Sequence, residues 1–248
     1  MIDGWISKIR DDHVSGAAAL TREAARALSE LSDSPAEVRE LCRVLPSAQP
    51  AMASLVRLSR AALAAGSDSA AIREACRRFV ASMEASESRI ASTVAGRMPR
   101  DAVVLTHSSS SAVRAALLAA HSAGKLRQVI CTESQPMREG AELARALCEA
   151  GLNATVLPDA AMASVMDRIH WALAGADAVG PYDFTNKVGT LTLAWLCRLF
   201  AKPLYILCGE EKFLPPDYDA PAPGGDFEAI PRVLAAGFIT GAGLQLQS

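Results

Sequence analysis

The sequence of 248 residues predicts an α/β protein, with a helical N-terminal domain over residues 1–96 and a Rossmann-like domain with a mostly parallel sheet over residues 97–248. Two observations predict this architecture. Up to about Ala95, apolar residues recur every three or four positions, which is the period of amphipathic helices. Beyond Gly96, short apolar runs alternate with helical segments, a pattern typical of a parallel sheet covered by helices on both faces.

The N-terminal domain is predicted to contain four helices separated by breaks in the apolar period. Ser34-Pro35 is typical of a helix start, because serine caps a helix and proline is tolerated in its first turn. Pro46 and Pro50 are expected to break the chain between the second and third helices. In chain order, the helices carry Leu20–Leu31, Pro35–Val44, Met52–Leu63 and Ile72–Val94.

The second domain is predicted to contain five strands and four helical segments. The strands are Ala102–His107, Gln128–Thr132, Ala154–Leu157, Trp171–Val179 and Leu204–Cys208. The helical segments are Ser109–Ala123, Glu139–Ala150, Ala160–Ile169 and Thr190–Phe200. In open parallel sheets, ligands bind at the carboxyl ends of the strands. We therefore expect the functional residues in the loops that follow Leu105, Thr132, Leu157 and Ala176.

Composition narrows the classes of partner. A net charge of -2, with acids and bases mixed along the chain, argues against a general nucleic-acid binder, which requires a basic patch. No window approaches the roughly 18 apolar residues of a membrane span, and no signal pattern begins the chain, so we expect a cytoplasmic protein. The six cysteines include no Cys-x-x-Cys pair and are interpreted as structural thiols. Asp11-Asp12-His13 is interpreted as a solvated turn rather than a metal site, and no cofactor is expected.

Four consecutive serines, Ser108–Ser111, follow the first predicted strand and begin a helix. The nucleophile-elbow pattern Gly-x-Ser-x-Gly is absent, which argues against a serine hydrolase. No Gly-x-Gly-x-x-Gly follows the strand, which argues against a nicotinamide cofactor. Two interpretations remain open: the serines cap their own helix, or the free N–H groups and helix dipole bind a phosphate there.

Two carboxylates lie near predicted strand ends. Asp159 follows the third strand, and Asp177 lies near the end of the apolar run Trp171–Val179. An ionised carboxylate in apolar surroundings is costly unless it is paired or its pKa shifts. Asn186 and Lys187 offer an amide and an ammonium just before a helix. Asp177 therefore forms with them either a structural ion pair or a polar ligand site.

Several short motifs, taken together, resemble one family. They are Leu105-Thr106-His107-Ser108, Thr132-Glu133-Ser134-Gln135-Pro136, Glu139-Gly140, Asp159-Ala160-Ala161, Gly175-Ala176-Asp177 and Asn186-Lys187-Val188-Gly189-Thr190, with Ser15-Gly16-Ala17 and Gln49-Pro50-Ala51-Met52-Ala53 upstream and Phe227–Pro231 and Phe238–Thr240 downstream. In this order they resemble the family of the alpha, beta and delta subunits of initiation factor 2B, which includes ribose-1,5-bisphosphate isomerase and methylthioribose-1-phosphate isomerase. The resemblance implies a helical domain followed by a Rossmann-like domain. It also implies a homodimer through the C-terminal domain, with the apolar run Val233–Ile239 as interface or core.

The resemblance also implies roles for individual residues. In the isomerases, a cysteine after the Thr-His pair and the aspartate of Gly-Ala-Asp form the catalytic pair; here the aspartate matches Asp177, but Ser108 stands at the cysteine position. A thiol, with a pKa of about 8.5, can be tuned toward neutrality, whereas an alcohol is a far poorer acid–base group. The isomerases also tend to carry arginines where this chain has Ser15, Gln49 and Gln135, and losing those guanidinium groups weakens bidentate phosphate recognition.

Three hypotheses follow. The first is an initiation-factor-2B-like protein that binds a sugar phosphate or nucleotide phosphate without the isomerase chemistry. The second is an active aldose–ketose isomerase of a phosphorylated ribose-type sugar, with Asp177 as base and Ser108 or a water in place of the thiol. The third is a subunit of a translation-factor-like assembly. The implied ligand residues are Gly16, Ala17, His107, Ser108, Ser109, Gln135, Glu139, Asn186 and Lys187.

Overall fold

The computed structural model describes residues 2–12 and 15–247. His13, part of the predicted turn, lies outside the described residues. The predicted fold class is confirmed, since helices come first and a mostly parallel sheet follows them. The helices of the N-terminal part are α1 (Ile2–Arg10), α2 (Ala17–Glu30), α3 (Pro35–Ala48), α4 (Ala53–Ala64) and α5 (Ser69–Arg97). The sequence analysis did not predict α1.

The apolar period places α2 to α5 correctly because their apolar faces share one core. Leu28, Leu41 and Leu55, from three successive helices, are fully buried together. Asp68 begins the longest helix, α5, by accepting a hydrogen bond from the N–H of Ala71 at 2.7 Å.

The predicted break between α3 and α4 is confirmed, but it begins after Ala48 rather than at Pro46, because α3 continues through Pro46. Pro46 lies in the last turn of the helix. Its ring therefore removes only the hydrogen bond that its own nitrogen would have donated to the preceding turn.

The rest of the chain alternates between strands and helices. In order, these are β1 (Ala102–Thr106), α6 (Ser111–Ser122), β2 (Leu126–Thr132), α7 (Glu139–Glu149), β3 (Ala154–Leu157), β4 (Trp171–Ala174), β5 (Ala178–Val179), β6 (Asp183–Lys187), α8 (Thr190–Leu199), β7 (Leu204–Leu207), β8 (Phe227–Pro231), β9 (Gly237–Thr240) and β10 (Gly243–Leu246). The predicted helical segment at 160–169 takes the 3-10 form, over Asp159–Arg168.

Seven strands form the main sheet, in the order β10-β9-β7-β4-β1-β2-β3. Neighbouring strands of this sheet are parallel, except that β10, at one edge, is antiparallel to β9. Alternate residues of β1 enter different cores: Leu105 packs in one cluster and Val104 in the other. The sheet is therefore covered on both faces, which explains why its strands are continuous apolar runs.

The predicted strand Trp171–Val179 is wrong as a single element. Its first part is β4 of the main sheet, and its second is β5 of a small antiparallel sheet ordered β5-β6-β8. The chain turns at Gly175, where a Cβ atom would lie 2.7 Å from Ser110 Oγ, so only glycine fits against that serine. Both parts are buried, and the sequence therefore shows one uninterrupted apolar run.

The apolar run Val233–Ile239 belongs mostly to the core. Leu234, Phe238 and Ile239 are buried, whereas Val233 is 68% exposed. Among the described residues, no helix combines the length and the apolar character needed to cross a membrane.

Candidate functional site

The candidate site lies where the order of the strands reverses. The chain runs outward from β1 to β2 and β3, then returns to place β4 on the opposite side of β1. Such a reversal opens a crevice at the carboxyl ends of the two central strands. A cavity of about 430 Å³ lies there. It is lined by Ser15–Ala19, Arg22, Met52, His107–Ser111, Arg114, Met137, Glu139, Glu142, Gly175–Asp177, Asn186, Lys187, Lys212 and Phe227.

Ser108 forms the turn between β1 and α6 in a left-handed conformation, with φ of 67°. Its N–H donates to Ser134 Oγ at 2.7 Å, and its hydroxyl donates to Glu139 Oε1 at 3.1 Å. Ser110 is the residue that caps α6, because its Oγ accepts from the N–H of Val113 at 3.5 Å. The serine run therefore divides: Ser110 begins the helix, and Ser108 directs its hydroxyl to a carboxylate in the cavity wall.

His107 is held by hydrogen bonds at both ring nitrogens. Nδ1 lies 2.6 Å from Thr132 Oγ1, and Nε2 lies 2.8 Å from the carbonyl oxygen of Val188. A carbonyl only accepts, so Nε2 carries the proton and Nδ1 accepts from the threonine hydroxyl. Burial lowers the pKa of His107, which favours this neutral form. Both nitrogens are engaged in the fold, so His107 positions the end of β1 rather than exchanging protons with a ligand.

Lys187 is a buried cation at the inner end of the cavity. Its Nζ lies 3.6 Å from Glu139 Oε1 and 3.5 Å from Asp226 Oδ2, and the residue is 6% exposed. The second oxygen of Glu139 is buried without a hydrogen-bond partner among the described residues. The neighbouring Asn186 donates from Nδ2 to Thr190 Oγ1 at 2.9 Å, which fixes its side chain at the start of α8.

Asp177 presents an unpaired carboxyl group to the cavity. Its backbone is fixed, since its N–H donates to Thr185 O at 2.8 Å and its carbonyl accepts from Ala53 N–H at 3.0 Å. No hydrogen bond or ion pair joins its carboxylate to another described residue. Burial raises the pKa of Asp177, and the positive charges of Lys212 and Lys187 oppose that rise. A carboxyl group whose pKa is raised holds its proton more readily than an ordinary aspartate does, which suits a group that exchanges protons with a ligand.

Two helix N-termini meet on the other side of the cavity. Helix α2 begins after Gly16, which supplies no side-chain cap, and Ala17 follows it at the cavity wall. Helix α6 begins beside Ser109, whose carbonyl oxygen would lie 3.9 Å from a Cβ atom on Gly16. Both helices therefore direct their positive dipole ends toward one cavity, an arrangement that favours an anion.

Of the predicted ligand residues, Gln135 is the one that the structure does not bring to the cavity. Its side chain is exposed, and its N–H donates to Asp159 Oδ2 at 2.8 Å. Asp159 also accepts from the N–H of Ser134, so its carboxylate holds the loop after β2. Gln49 is likewise structural, because its amide donates to the carbonyls of Ile9, Arg10 and Asp12 at the end of α1.

Sequence analysis missed three basic residues that line the cavity, Lys212, Arg22 and Arg114. Lys212 follows β7, which is the fifth predicted strand. Functional residues were expected only after the first four predicted strands, although ligands bind at the carboxyl ends of all parallel strands in such sheets. Lys212 is 7% exposed, and no hydrogen bond or ion pair to another described residue engages its ammonium. Arg22 and Arg114 lie inside helices α2 and α6, and no local pattern distinguishes them from solvated helix residues.

A metal centre finds no support in the described part of the chain. Among residues 2–12 and 15–247, no group of three or more histidine, cysteine, aspartate or glutamate side chains is arranged to hold a metal ion. All six cysteines are free thiols, and only Cys148 is exposed.

Comparisons with known proteins agree with the motifs. The sequence model of the initiation factor 2 subunit family matches residues 13–220. The eIF-2B subunit 2-like protein of Pyrococcus furiosus is 30% identical over 215 residues, which are 84% of this chain and 78% of that protein. Ribose 1,5-bisphosphate isomerase of Archaeoglobus fulgidus is 28% identical over 221 residues, 84% of this chain and 70% of the isomerase.

The fold is also similar to that of a solved relative. The crystal structure of the translation initiation factor eIF-2B of Pyrococcus horikoshii superposes with a TM-score of 0.90 at 27% identity, and the match covers 99% of this chain and 96% of that one. The crystal structure of 5-methylthioribose 1-phosphate isomerase of the same organism superposes with a TM-score of 0.77 at 20% identity over 99% of this chain and 84% of that one, so a factor and an isomerase share this fold.

Proposed function

The chain belongs to the initiation factor 2 subunit family, and from that premise we propose that it binds a small phosphorylated ligand, a sugar phosphate or a nucleotide, without the isomerase chemistry. One observation supports this most directly: a single cavity joins two helix N-termini to buried ammonium groups, those of Lys187 and Lys212. Helix dipoles and cations both favour anions. Gly16, Ala17, Ser109 and Asn186 complete the proposed contacts.

The loss of isomerase chemistry is proposed from the state of Ser108. Its hydroxyl stands where the isomerases place a cysteine, and it donates to Glu139 Oε1 at 3.1 Å. An alcohol does not ionise near neutral pH as a tuned thiol does. The hydroxyl therefore supports hydrogen bonding to a ligand rather than proton transfer.

Binding is tested by thermal unfolding with ribose 1,5-bisphosphate, methylthioribose 1-phosphate and AMP, each paired with its unphosphorylated counterpart. A ligand at one hundred times its Kd adds about 2.7 kcal/mol to the free energy of unfolding. For a chain of this length, that corresponds to a rise of roughly 5–10 °C in Tm. We expect the rise with phosphorylated compounds only.

Two lysine variants locate the binding. Lys187→Met should abolish the rise in Tm, whereas Lys125→Met should retain it, because Lys125 donates to Met98 O far from the cavity. If no phosphorylated compound raises the Tm of the unmodified protein, the proposal of a phosphate-binding function is wrong.

The alternative function is an active aldose–ketose isomerase of a phosphorylated ribose-type sugar. The observation that favours it is the unpaired carboxyl group of Asp177, whose pKa is raised by burial. Ketose formation followed by NMR distinguishes the two functions. Turnover that Asp177→Asn abolishes, without loss of ligand binding, would establish catalysis and rule out a role restricted to binding.

We also propose that the protein forms a homodimer through an apolar surface on α8 and on the 3-10 turn Arg232–Leu234, which contacts α8. Trp195 and Leu199 lie one helical turn apart and are 56% and 76% exposed, and Val233 of the adjoining turn is 68% exposed. Apolar side chains grouped in this way are typical of a protein–protein interface. Sedimentation velocity at micromolar concentration should show a dimer, and Leu199→Glu should give a monomer. If the unmodified protein neither dimerises nor binds a phosphorylated compound, the third hypothesis, a subunit of a translation-factor-like assembly, is favoured.

A further inference from the structure

We propose that Arg22 and Arg114 bind a second anionic group of the ligand at the mouth of the cavity, so that the site selects compounds with two anionic groups over those with one. The inference rests on the proposed function, in that the cavity must take a phosphorylated ligand. By the mouth we mean its outer side, formed by Arg22 on α2 and Arg114 on α6.

The cavity has an inner and an outer pair of cations. Lys187 and Lys212 are 6% and 7% exposed and form the inner pair. Arg114 is exposed, and the side chain of Arg22 is 40% exposed, so the two guanidinium groups lie toward solvent. Because the two pairs differ in their exposure to solvent, we assign them to two anion subsites of one cavity of about 430 Å³.

Of the two inner cations, Lys187 is already paired with carboxylates, and Lys212 is paired with none among the described residues. Lys187 lies within 4 Å of Glu139 and Asp226. Lys212 interacts electrostatically with Asp177. Because no hydrogen bond or ion pair to a described residue engages the Lys212 ammonium, it is available to one anionic group of the ligand.

The outer cations are not balanced in this way. Arg114 lies in the first turn of α6, and no hydrogen bond or ion pair joins its guanidinium to another described residue. Arg22 pairs with Glu84 at 3.4 Å, and both side chains are well exposed, at 40% and 59%. Exposed pairs of this kind contribute about 0–1 kcal/mol. Arg22 can therefore leave Glu84 and pair with an anionic group of the ligand at little cost in free energy.

The guanidinium group suits this task for a geometric reason. Arginine presents several N–H donors in a planar fork and binds phosphate through two parallel hydrogen bonds. Arg22 and Arg114 supply two such groups to the cavity from helices α2 and α6.

The test compares paired probes in calorimetric titrations of the full chain. Ribose 5-phosphate is compared with ribose 1,5-bisphosphate, and AMP with ADP, so that the two pairs also distinguish sugar from nucleotide ligands. The unmodified protein should bind the compound with two phosphate groups roughly ten to one hundred times more tightly than the compound with one. Because Arg22 and Arg114 are exposed to solvent, this preference should weaken as salt is added.

The variants separate the mouth from the interior. In Arg114→Ala and in Arg22→Ala, the ratio of the two affinities should fall to about threefold or less. The affinity for the probe with one phosphate group should stay unchanged. Arg114→Lys should keep part of the preference, because the charge remains without the fork. Arg77→Ala, which removes an exposed arginine of α5 that pairs with Glu74, is the matched control and should change nothing.

Two results would overturn the inference without touching the proposed function. One is equal affinity of the unmodified protein for both members of each pair. The other is a preference that survives both Arg114→Ala and Arg22→Ala. If no probe binds at all, the proposed function fails, and the inference fails with it. Arg114 is exposed, and its guanidinium makes no hydrogen bond or ion pair with another described residue, so its variants should fold.

Discussion

Replacing Gly189 by alanine should destabilise the protein through His107. Gly189 precedes α8 with φ of 104°, a conformation that residues with a Cβ rarely adopt, and that Cβ would lie 2.7 Å from the His107 ring. The backbone strain costs about 1–3 kcal/mol. Displacing the ring also weakens its hydrogen bond to Val188 O, worth about 0.5–1.5 kcal/mol. The sum, about 1.5–4.5 kcal/mol, lowers the Tm of a chain of this length by roughly 3–18 °C.

Gly66→Ala provides the matched control. Gly66 also has a positive φ, 81°, but no atom lies within 4 Å of the position that its Cβ would take. Urea unfolding of both variants therefore separates strain from steric contact: Gly66→Ala reports the strain alone, and Gly189→Ala reports strain together with the displacement of His107. Equal losses of unfolding free energy in the two variants would refute the reasoning that Gly189 is required by its contact with His107.

Three further predictions concern stability and reactivity. Asp177→Asn should raise the free energy of unfolding of the ligand-free protein at pH 7, because burial raises the pKa of Asp177; the gain should shrink as pH falls through the raised pKa toward the ordinary value of 3.8, and a constant gain would contradict this. Glu228→Ala should cost about 1–2 kcal/mol in urea unfolding, since Glu228 Oε1 accepts from the N–H groups of Gly189 and Leu191, and Glu228→Gln should cost less because it keeps an acceptor. In the native protein a thiol reagent should modify Cys148 alone, and all six cysteines only in urea; early modification of a second thiol would count against the buried placement of the others.

Most of the candidate site could be predicted because its residues follow strands. Ser108 and Asp177 come after β1 and β4, and parallel strands direct their carboxyl ends to one edge of the sheet. Gln135 shows the limit of that reasoning: it follows β2 in the same way, but its loop is held by Asp159 and its side chain is exposed. Sequence places a loop near a site but does not fix which side chains of the loop enter it.

The sequence by itself determined the fold class and the order of the elements from α2 to β7, whereas α1, β6 and the strands β8 to β10 were not predicted. Apolar periods of three to four residues mark α2 to α5, and continuous apolar runs mark the strands of a covered sheet, because both patterns record which side chains face a core. The division into domains at Gly96 stays a prediction. The chain break at Gly175, by contrast, lay hidden in one apolar run, since β4 and β5 are buried in different sheets.

Only the tertiary structure decided the charge arrangement of the cavity. It paired Lys187 with Glu139 and Asp226, left Lys212 without a paired acceptor among the described residues, and placed Arg114 at the mouth. The charged residues that meet in the cavity are far apart in the sequence, and whether a charge is paired depends on distances in space. Local patterns record burial, but they do not record partners. The physical reason is that electrostatic interactions in this cavity join residues from five separate segments of the chain, which meet only when the sheet has formed.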